Sequence, residues 1–225
     1  TINWQPESTG SGRFGQWLET LIDWNLSRSR YWGTPLNIWR TEDKEEEVCI
    51  GSIEELKSEM QKSVEAGFLS SDIFDREFDL HKPFVDDIIL VSASGKPMQR
   101  ESDLIDVWFD SGAMPYAQWH FPFENKETFA QSFPADFIAE GVDQTRGWFY
   151  TLHAIATMLF DSVAYKNVMS NGLVLDKNGN KMSKSRGNAV DPFATINKYG
   201  ADVTRWYMIS NSQPWDNLKF DAEGL

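Results

Sequence analysis

Cysteine and histidine are scarce in this 225-residue sequence. Cys49 is the only cysteine, so a disulfide within the chain and a zinc site built from cysteines are both excluded, and a reducing cytoplasm is the expected setting. The three histidines, His81, His120 and His153, are scattered without the spacing of metal ligands. We interpret them as ordinary structural or surface residues and expect no metal site in this segment.

Long apolar runs and a leader sequence are also missing. The longest apolar stretch, residues 154–160, is far shorter than the ~18–20 residues that a membrane span needs. No secretory signal is visible, and the chain opens on Thr1 rather than methionine, so we expect it to begin inside a longer protein. The composition, 41% hydrophobic and 14% aromatic, is typical of a globular chain.

Positive charge is in the minority, with 21 basic against 34 acidic residues and a net charge of −13. This balance argues against a broad nucleic-acid-binding surface, which needs clustered cations. Lys177, Lys181, Lys184 and Arg186 nevertheless fall close together. Any phosphate site should therefore lie in that stretch.

The first part of the chain has the mixed pattern of an α+β region. Apolar residues at helical spacing predict a helix over residues 13–24. Ser52 and Glu55 form a capping box that starts a second helix, and Gly67 ends it. Apolar runs between turn signals predict strands at residues 36–40, 87–92 and 97–101.

From about residue 106 the pattern becomes that of an α/β domain. Residues 135–139 predict a strand, Glu140-Gly141 a turn, and Asp143 the cap of a helix that ends near residue 160. Residues 167–175 predict the next strand, which completes a βαβ unit with a right-handed crossover in a parallel sheet. The apolar stripe of the helix is predicted to be Phe149, Leu152, Ile155, Ala156 and Leu159.

A further helix is predicted to begin at Asp191-Pro192 and to end at Gly200. We interpret residues 106–225 as an α/β nucleotide-binding half-domain that comes after an α+β connecting insertion.

Residues 176–188 form the most informative stretch, Asp-Lys-Asn-Gly-Asn-Lys-Met-Ser-Lys-Ser-Arg-Gly-Asn. Gly179 and Gly187 bracket cations and hydroxyls that suit a triphosphate, because ammonium groups can follow the charge that moves onto a leaving pyrophosphate. From composition alone, a solvated basic turn is the alternative. The stretch is not a P-loop, because Gly-x-x-x-x-Gly-Lys-[Ser/Thr] does not occur in the sequence.

Residues 181–185, Lys-Met-Ser-Lys-Ser, match a signature of class I aminoacyl-tRNA synthetases letter for letter. Residues 23–33, Asp-Trp-Asn-Leu-Ser-Arg-Ser-Arg-Tyr-Trp-Gly, are similar to a segment that the isoleucine, valine and leucine members share after their editing insertion. The resemblance covers nearly the whole chain. It implies that residues 1–35 are a re-entry segment after an editing insertion that is absent here. Residues 36–105 would be a connecting insertion, and residues 106–225 the second half of a Rossmann-like catalytic domain.

Two segments indicate which amino-acid specificity within the family the chain resembles. Residues 106–112, Asp-Val-Trp-Phe-Asp-Ser-Gly, and 140–149, Glu-Gly-Val-Asp-Gln-Thr-Arg-Gly-Trp-Phe, resemble the isoleucine-specific branch, whereas valine members typically have Thr-Trp-Phe-Ser-Ser at the first. Residues 170–173, Ser-Asn-Gly-Leu, depart from the His-Gly-Phe found in many bacterial members. A valine-specific member and a non-catalytic nucleotide-binding relative remain as alternatives.

The resemblance implies a role for particular side chains. Lys184 is the first candidate for binding the phosphates, and Lys181 is the second. The predicted adenylate-binding residues are Glu140, Gly141 and Asp143 at the ribose hydroxyls, Gln144 near the amino acid, Asn171 at the adenine, and Gly172. Trp108 and Trp148 flank the amino-acid side chain. Without the resemblance, Glu140 and Asp143 are ordinary turn and capping residues and the tryptophans are core.

The implied reaction joins isoleucine to ATP as isoleucyl-adenylate, releases pyrophosphate, and transfers the amino acid to tRNA(Ile). Mg²⁺ is expected to enter with ATP as its substrate complex, and the full-length enzyme to be a cytoplasmic monomer without a membrane partner. The family's other signature, His-x-Gly-His, does not occur in the sequence. We therefore expect the chain alone to be inactive.

Overall fold

The computed structural model describes residues 1–75 and 78–225 of the chain. In chain order, the strands of these residues are β1 (Asn3–Gln5), β2 (Ser27–Arg28), β3 (Ile38–Thr41), β4 (Glu47–Cys49), β5 (Leu90–Val91), β6 (Pro97–Arg100), β7 (Leu104–Ile105), β8 (Ala135–Gly141), β9 (Tyr165–Asn171), β10 (Val174–Leu175) and β11 (Leu218–Lys219).

The α-helices of the same residues are α1 (Gly15–Glu19), α2 (Ile53–Glu65), α3 (Val107–Gly112), α4 (Met114–Ala117), α5 (Lys126–Ser132), α6 (Trp148–Phe160), α7 (Pro192–Tyr199) and α8 (Ala201–Ser210). A π-helix spans Thr9–Phe14, and short 3₁₀ helices span Ser71–Asp75, Phe84–Asp87, Val142–Arg146, Lys184–Arg186 and Ala222–Gly224. In this part of the chain, no helix is both long enough and apolar enough to cross a membrane.

Contacts divide the described residues into two compact units. Unit 1 comprises Thr1–Ile22 and Ser111–Leu225, and unit 2 comprises Asp23–Asp110. The boundaries that the sequence resemblance predicts, at residues 35 and 105, differ from the boundaries of these compact units. The assignment of those segments to a re-entry segment, an insertion and a catalytic half stays a prediction.

Unit 1 is built on a parallel sheet of order β1-β9-β8. Helix α6 connects β8 to β9, and the register pairs Ala135 with Tyr165 and Glu140 with Ser170. The predicted βαβ unit is confirmed. Its core consists of buried apolar side chains, namely Trp4, Phe14, Phe149, Leu152, Ala156, Ala164, Tyr165 and Val168.

The apolar stripe of α6 follows the prediction except in its last turn. Leu159 was expected in the core, but it is 58% exposed. The last turn packs instead through Phe160, whose ring lies 5.2 Å from that of Phe129 and 4.9 Å from that of Phe133. Phe160 packs against the neighbouring aromatic cluster, and Leu159 is left exposed to solvent.

The first helical segment differs from the predicted helix over residues 13–24. It begins earlier, as the π-helix, and continues as α1 only to Glu19. The π-helix packs closely on the ring of Trp4 at Gly10, where a Cβ would come within 2.4 Å of that ring. The early end follows from Thr20, whose φ of −110° leaves the helical region.

Unit 2 contains an antiparallel sheet of order β4-β3-β6-β5 and the small antiparallel pair β2-β7. The capping box of α2 is confirmed, since Glu55 N–H donates to Ser52 Oγ at 3.0 Å. Strand β5 is shorter than predicted because Phe84–Asp87 is a 3₁₀ helix. The core gathers apolar side chains from the sheet, from α2 and from the segment before β5: Trp39, Ile50, Leu56, Met60, Val85, Ile88, Leu90 and Met98.

The end of unit 1 confirms the predicted start and stop of α7. The side chain of Asp191 accepts from the N–H groups of Phe193 at 2.8 Å and Ala194 at 3.1 Å. Gly200 ends the helix with a φ of +93°. Such a positive φ strains other residues, which explains glycine there.

Candidate functional site

The carboxyl ends of β8 and β9 lie side by side in unit 1. Glu140 pairs with Ser170 and Gly141 with Asn171, so the two strands end at the same edge of the sheet. Strand β8 continues through Glu140 and Gly141, which the sequence assigned to a turn. Open parallel sheets bind ligands at this edge, and the Glu140 side chain is exposed there.

The turn after β8 brings Asp143 back toward Gly141. A Cβ at Gly141 would lie 2.5 Å from Asp143 Oδ1, so a larger residue would displace the carboxylate. The prediction that Asp143 caps the following helix is wrong, because α6 begins only at Trp148 with Gly147 as its N-cap residue. Asp143 is exposed instead, so its oxygens retain capacity to accept hydrogen bonds from a ligand.

Gln144 ties that carboxylate to the start of α6. Its side-chain Nε2 donates to Asp143 Oδ2 at 2.9 Å, and its Oε1 accepts from the Trp148 N–H at 2.9 Å. The capping task that the sequence gave to Asp143 is therefore performed by the neighbouring glutamine.

Thr145 anchors the same turn and has no role in the sequence prediction. Its fully buried hydroxyl accepts from Arg13 Nε at 2.8 Å and donates to the Val142 carbonyl at 2.8 Å. Nothing in the sequence around Thr145 predicts this long-range contact. Arg13 thus holds the turn from a segment distant in sequence.

The two tryptophans of the predicted amino-acid pocket belong to different units. Trp148 in unit 1 is half-buried, and its Nε1 donates to the Ser111 carbonyl at 2.9 Å. Trp108 in unit 2 is 42% exposed. Their shared role in an amino-acid pocket stays a prediction.

The loop over residues 176–188 is a closed turn organised by Asp176. Asp176 Oδ1 accepts from the backbone N–H groups of Asn178 at 3.0 Å and Asn180 at 2.8 Å. Its Oδ2 accepts from Asn188 Nδ2 at 2.9 Å. These hydrogen bonds, the one from Asn188 foremost, hold the pKa of the Asp176 carboxyl below its usual value.

The second half of this loop forms a 3₁₀ turn around Lys184. The Ser183 hydroxyl accepts from the Arg186 N–H at 3.3 Å, and Gly187 closes the turn with a φ of +68°. The loop exposes the side chains of Lys177, Lys181, Lys184 and Arg186. In the described part of the chain, none of these four cations forms an ion pair with a carboxylate.

The chain that carries this sheet edge and this loop is similar to known proteins. The family model described as tRNA synthetases class I (I, L, M and V) matches residues 1–221. The chain belongs to this family. The match includes residues of both compact units, since it runs through residues 23–110 as well as the two segments of unit 1.

Similar proteins within the family include several isoleucine–tRNA ligases. The chain is 73% identical to that of Cytophaga hutchinsonii and 70% identical to that of Bacteroides fragilis, in both cases over its full length. It is 50% identical to the ligase of Thermus thermophilus over 97% of its length. The chain spans only 20–21% of the length of these relatives. These relatives favour the isoleucine-specific branch over the valine alternative.

Two solved structures share the fold. A ternary complex of LeuRS with tRNA and LeuAMS from Agrobacterium radiobacter superposes with a TM-score of 0.64 at 20% identity, over 94% of this chain and 28% of that one. Mycobacterium tuberculosis methionyl-tRNA synthetase in complex with methionyl-adenylate gives a TM-score of 0.59 at 18% identity, over 99% of this chain and 31% of that one.

Gly172 has a packing role that the family resemblance did not reveal. Strand β9 ends at Asn171, where the sequence predicted that it would continue to residue 175, because Gly172 N–H donates to the Pro214 carbonyl at 2.9 Å. A Cβ at Gly172 would lie 2.1 Å from the Asp216 carbonyl oxygen. Glycine is therefore required there by the adjoining backbone.

The three histidines lie in different environments. His81 and His120 are exposed, and His153 is half-buried on α6, where burial lowers its pKa. Within residues 1–75 and 78–225, no three His, Cys, Asp or Glu side chains are grouped so that they could hold a metal ion.

Proposed function

We propose that the chain is part of an isoleucine–tRNA ligase, which activates isoleucine with ATP to isoleucyl-adenylate, releases pyrophosphate and transfers the isoleucyl group to tRNA(Ile). The observation that carries this proposal is the loop at residues 176–188. In a chain with a net charge of −13, it presents four exposed cations that no carboxylate of the described residues neutralises. The identity to isoleucine–tRNA ligases supports the choice of amino acid.

The 225 residues would supply one side of the active site. We infer that residues 106–225 are the second half of a Rossmann-like catalytic domain, with residues 36–105 as its connecting insertion. The parallel β1-β9-β8 sheet supports this half-domain, as does the small share of the relatives' length that the chain spans. The remaining phosphate contacts would come from elsewhere in the longer protein, so the chain alone would be inactive.

Glu140, Gly141 and Asp143 would hold the ribose of the adenylate. The exposed carboxylates of Glu140 and Asp143 can each accept two hydroxyl hydrogen bonds, which suits a vicinal diol. Gly141 leaves room for the Asp143 carboxylate. Asn171, which ends the neighbouring strand, and Gly172 would face the adenine.

Lys184 and Lys181 would stabilise the β- and γ-phosphates of ATP as the bond from the α-phosphorus to the leaving pyrophosphate breaks. An ammonium group on a loop flanked by glycines can follow the charge that develops on the leaving pyrophosphate. Asp176 and Asn188 close the base of the loop. The loop backbone is therefore already ordered, and less conformational entropy is lost when the lysines bind the phosphates. Mg²⁺ would arrive bound to ATP, and the side chains here would add charge to that complex rather than hold the metal themselves.

Trp148 would border the amino-acid side chain, with Gln144 near the amino acid. The hydrogen bonds from Trp148 to Ser111 and Gln144 fix the orientation of its ring. Trp108 would border the same amino-acid side chain. The full-length protein is expected to be a cytoplasmic monomer.

The test is amino-acid-dependent ATP–pyrophosphate exchange by the full-length protein. We expect isoleucine to support exchange with a higher kcat/KM than valine, since one methylene in an apolar pocket is worth ~1–3 kcal/mol. Exchange that prefers valine would favour the valine-specific alternative. Absence of exchange with either amino acid would favour the non-catalytic relative.

A further inference from the structure

Asp106 is a buried carboxylate that joins two segments of unit 2. The residue is 3% exposed. Its Oδ2 accepts from Trp24 Nε1 at 2.9 Å and from Arg28 Nη2 at 2.6 Å. Its Oδ1 accepts from the backbone N–H of Trp108 at 3.2 Å. One carboxylate thus binds a tryptophan, an arginine and the first turn of α3.

The backbone of Asp106 repeats the same connection. Its N–H donates to the Leu26 carbonyl at 2.7 Å, and its carbonyl accepts from the Phe109 N–H at 2.7 Å. Strands β2 and β7 bring the segments together, with Ser27 opposite Ile105. Segment 24–28 and the start of α3 are therefore held in one arrangement.

Only a carboxylate satisfies all three donors. A buried charge is costly unless it is paired and hydrogen-bonded, and Arg28 supplies the opposite charge. Asparagine at residue 106 would turn an NH₂ group toward at least one donor, because half of its amide cannot accept. Alanine would leave Arg28 without its charge partner.

We propose that Asp106 is a positioning residue for amino-acid selection, which fixes the direction in which α3 presents Trp108. This inference rests on the proposed function, in which the indole of Trp108 meets the amino-acid side chain. Trp108 lies two residues beyond Asp106, and its own N–H is one of the three donors. A shift of that hydrogen bond would move the first turn of the helix and the indole with it.

Unit 2 offers a matched control for general destabilisation. Arg100, with a side chain that is 1% exposed, donates from Nε to Asp86 Oδ1 at 2.8 Å. Asp86→Asn perturbs an ion pair between a buried arginine and an exposed carboxylate of the same unit, and it leaves the hydrogen bonds of Trp24, Arg28 and Trp108 to Asp106 intact. A role of Asp106 in stability alone predicts the same kinetic effect from both variants.

The experiment measures ATP–pyrophosphate exchange by full-length Asp106→Asn and Asp86→Asn, each shown to be folded by circular dichroism. For Asp106→Asn we expect kcat/KM for isoleucine to fall about tenfold or more and the ATP KM to stay within about twofold, because a displacement of ~1 Å can cost about 100-fold. The preference for isoleucine over valine should fall as well. Asp86→Asn should retain all three values.

A second variant guards against misfolding of the first. Trp24→Phe keeps the Arg28 pair and the Trp108 hydrogen bond but removes one donor to Asp106, so it should give a smaller change in the same direction. Unaltered isoleucine kinetics in folded Asp106→Asn, or an equal loss in Asp86→Asn, would overturn the positioning role alone. A wild-type protein without isoleucine-dependent exchange would overturn the proposed function together with this inference.

Discussion

Asn188 donates a side-chain hydrogen bond to Asp176 at 2.9 Å and so closes the base of the cationic loop. The Asn188 side chain also accepts from the Ser183 N–H at 2.9 Å. One amide therefore connects the acidic start of the loop to its lysine-rich end. The order of this end depends on the charge of Asp176, since an ionised carboxylate is the stronger acceptor.

The loop should lose order in acid. The pKa of Asp176 is lowered by its hydrogen bonds from Asn188 and Asn180, so the folded loop favours the ionised carboxyl. This contribution is fully present above the unfolded value of about 3.9 and disappears as the pH falls through the lower folded pKa. Amide NMR shifts of Asn178 and Asn180 in the 225-residue chain should titrate with that lowered midpoint.

Two variants make the titration specific. Asp176→Asn should abolish the shift changes, whereas Asp136→Asn should leave them, because Asp136 pairs with Lys166 on the sheet. A midpoint at the ordinary aspartate pKa would contradict the role given to Asn188.

Replacement of Lys184 by alanine in the full-length enzyme should slow adenylate formation far more than it weakens isoleucine binding. The loss of one donor that acts on transition-state charge costs ~3–4 kcal/mol, by analogy with oxyanion-hole donors. Stopped-flow measurement of adenylate formation gives the rate directly. Lys166→Ala is the control, since it removes an exposed lysine of unit 1 that is paired with Asp136. A wild-type rate for Lys184→Ala would refute the assignment.

Local signals in the sequence predicted the helix boundaries that depend on near neighbours. The capping box at Ser52 and the Asp191 cap are examples, because donor and acceptor lie within three residues of each other. The parallel βαβ unit also followed from periodicity. The cap of α6 did not, because either Asp143 or Gln144 could reach an early turn and only the start of the helix at Trp148 decides between them.

Long-range contacts were beyond the reach of sequence reasoning. The hydrogen bond that Arg13 donates to Thr145 spans 132 residues, and β9 ends where Gly172 N–H donates to the backbone carbonyl of Pro214. Sequence motifs, through family resemblance, predicted which residues bind the adenylate, and that role stays a proposal. They gave no account of what orients those residues.

Gly172→Ala should destabilise the 225-residue chain. Its Cβ would meet the Asp216 carbonyl oxygen at 2.1 Å, and such overpacking typically costs ~1–3 kcal/mol. Gly12→Ala is the control, because a Cβ there meets nothing within 4 Å. Urea unfolding should show a lower midpoint for Gly172→Ala only. Equal midpoints would mean that the 213–217 segment moves aside without cost.

Trp148→Ala in the full-length enzyme should raise the isoleucine KM and reduce the preference for isoleucine over valine. Removal of a large packed aromatic typically costs ~3–5 kcal/mol, part of which is general stability, so the comparison requires folded protein. Trp148→Phe keeps an aromatic ring but loses the hydrogen bond to Ser111, and it should show a smaller effect. If the selectivity of Trp148→Ala matched the wild type, the pocket role would be wrong.

The isolated 225-residue chain should fold but should not form isoleucyl-adenylate. It contains the β8 and β9 edge with Glu140 and the cationic loop with Lys184, which amount to one side of the proposed cleft. Adenylate formation requires both reactants to be held while charge is stabilised from two sides. Loss of one side forfeits much of the ~7–11 kcal/mol that positioning can supply.

Isoleucine-dependent ATP–pyrophosphate exchange on the purified chain provides the measurement, with the full-length enzyme at equal concentration as the positive control. Circular dichroism and a cooperative urea transition must first show that the chain is folded, because unfolded protein would also be inactive. We expect exchange at the level of a reaction without enzyme. We expect weak ATP binding to persist, since the residues proposed to contact the ribose and the phosphates are all in the chain. Robust exchange would mean that these residues hold a complete active site, and the half-domain proposal would then be wrong.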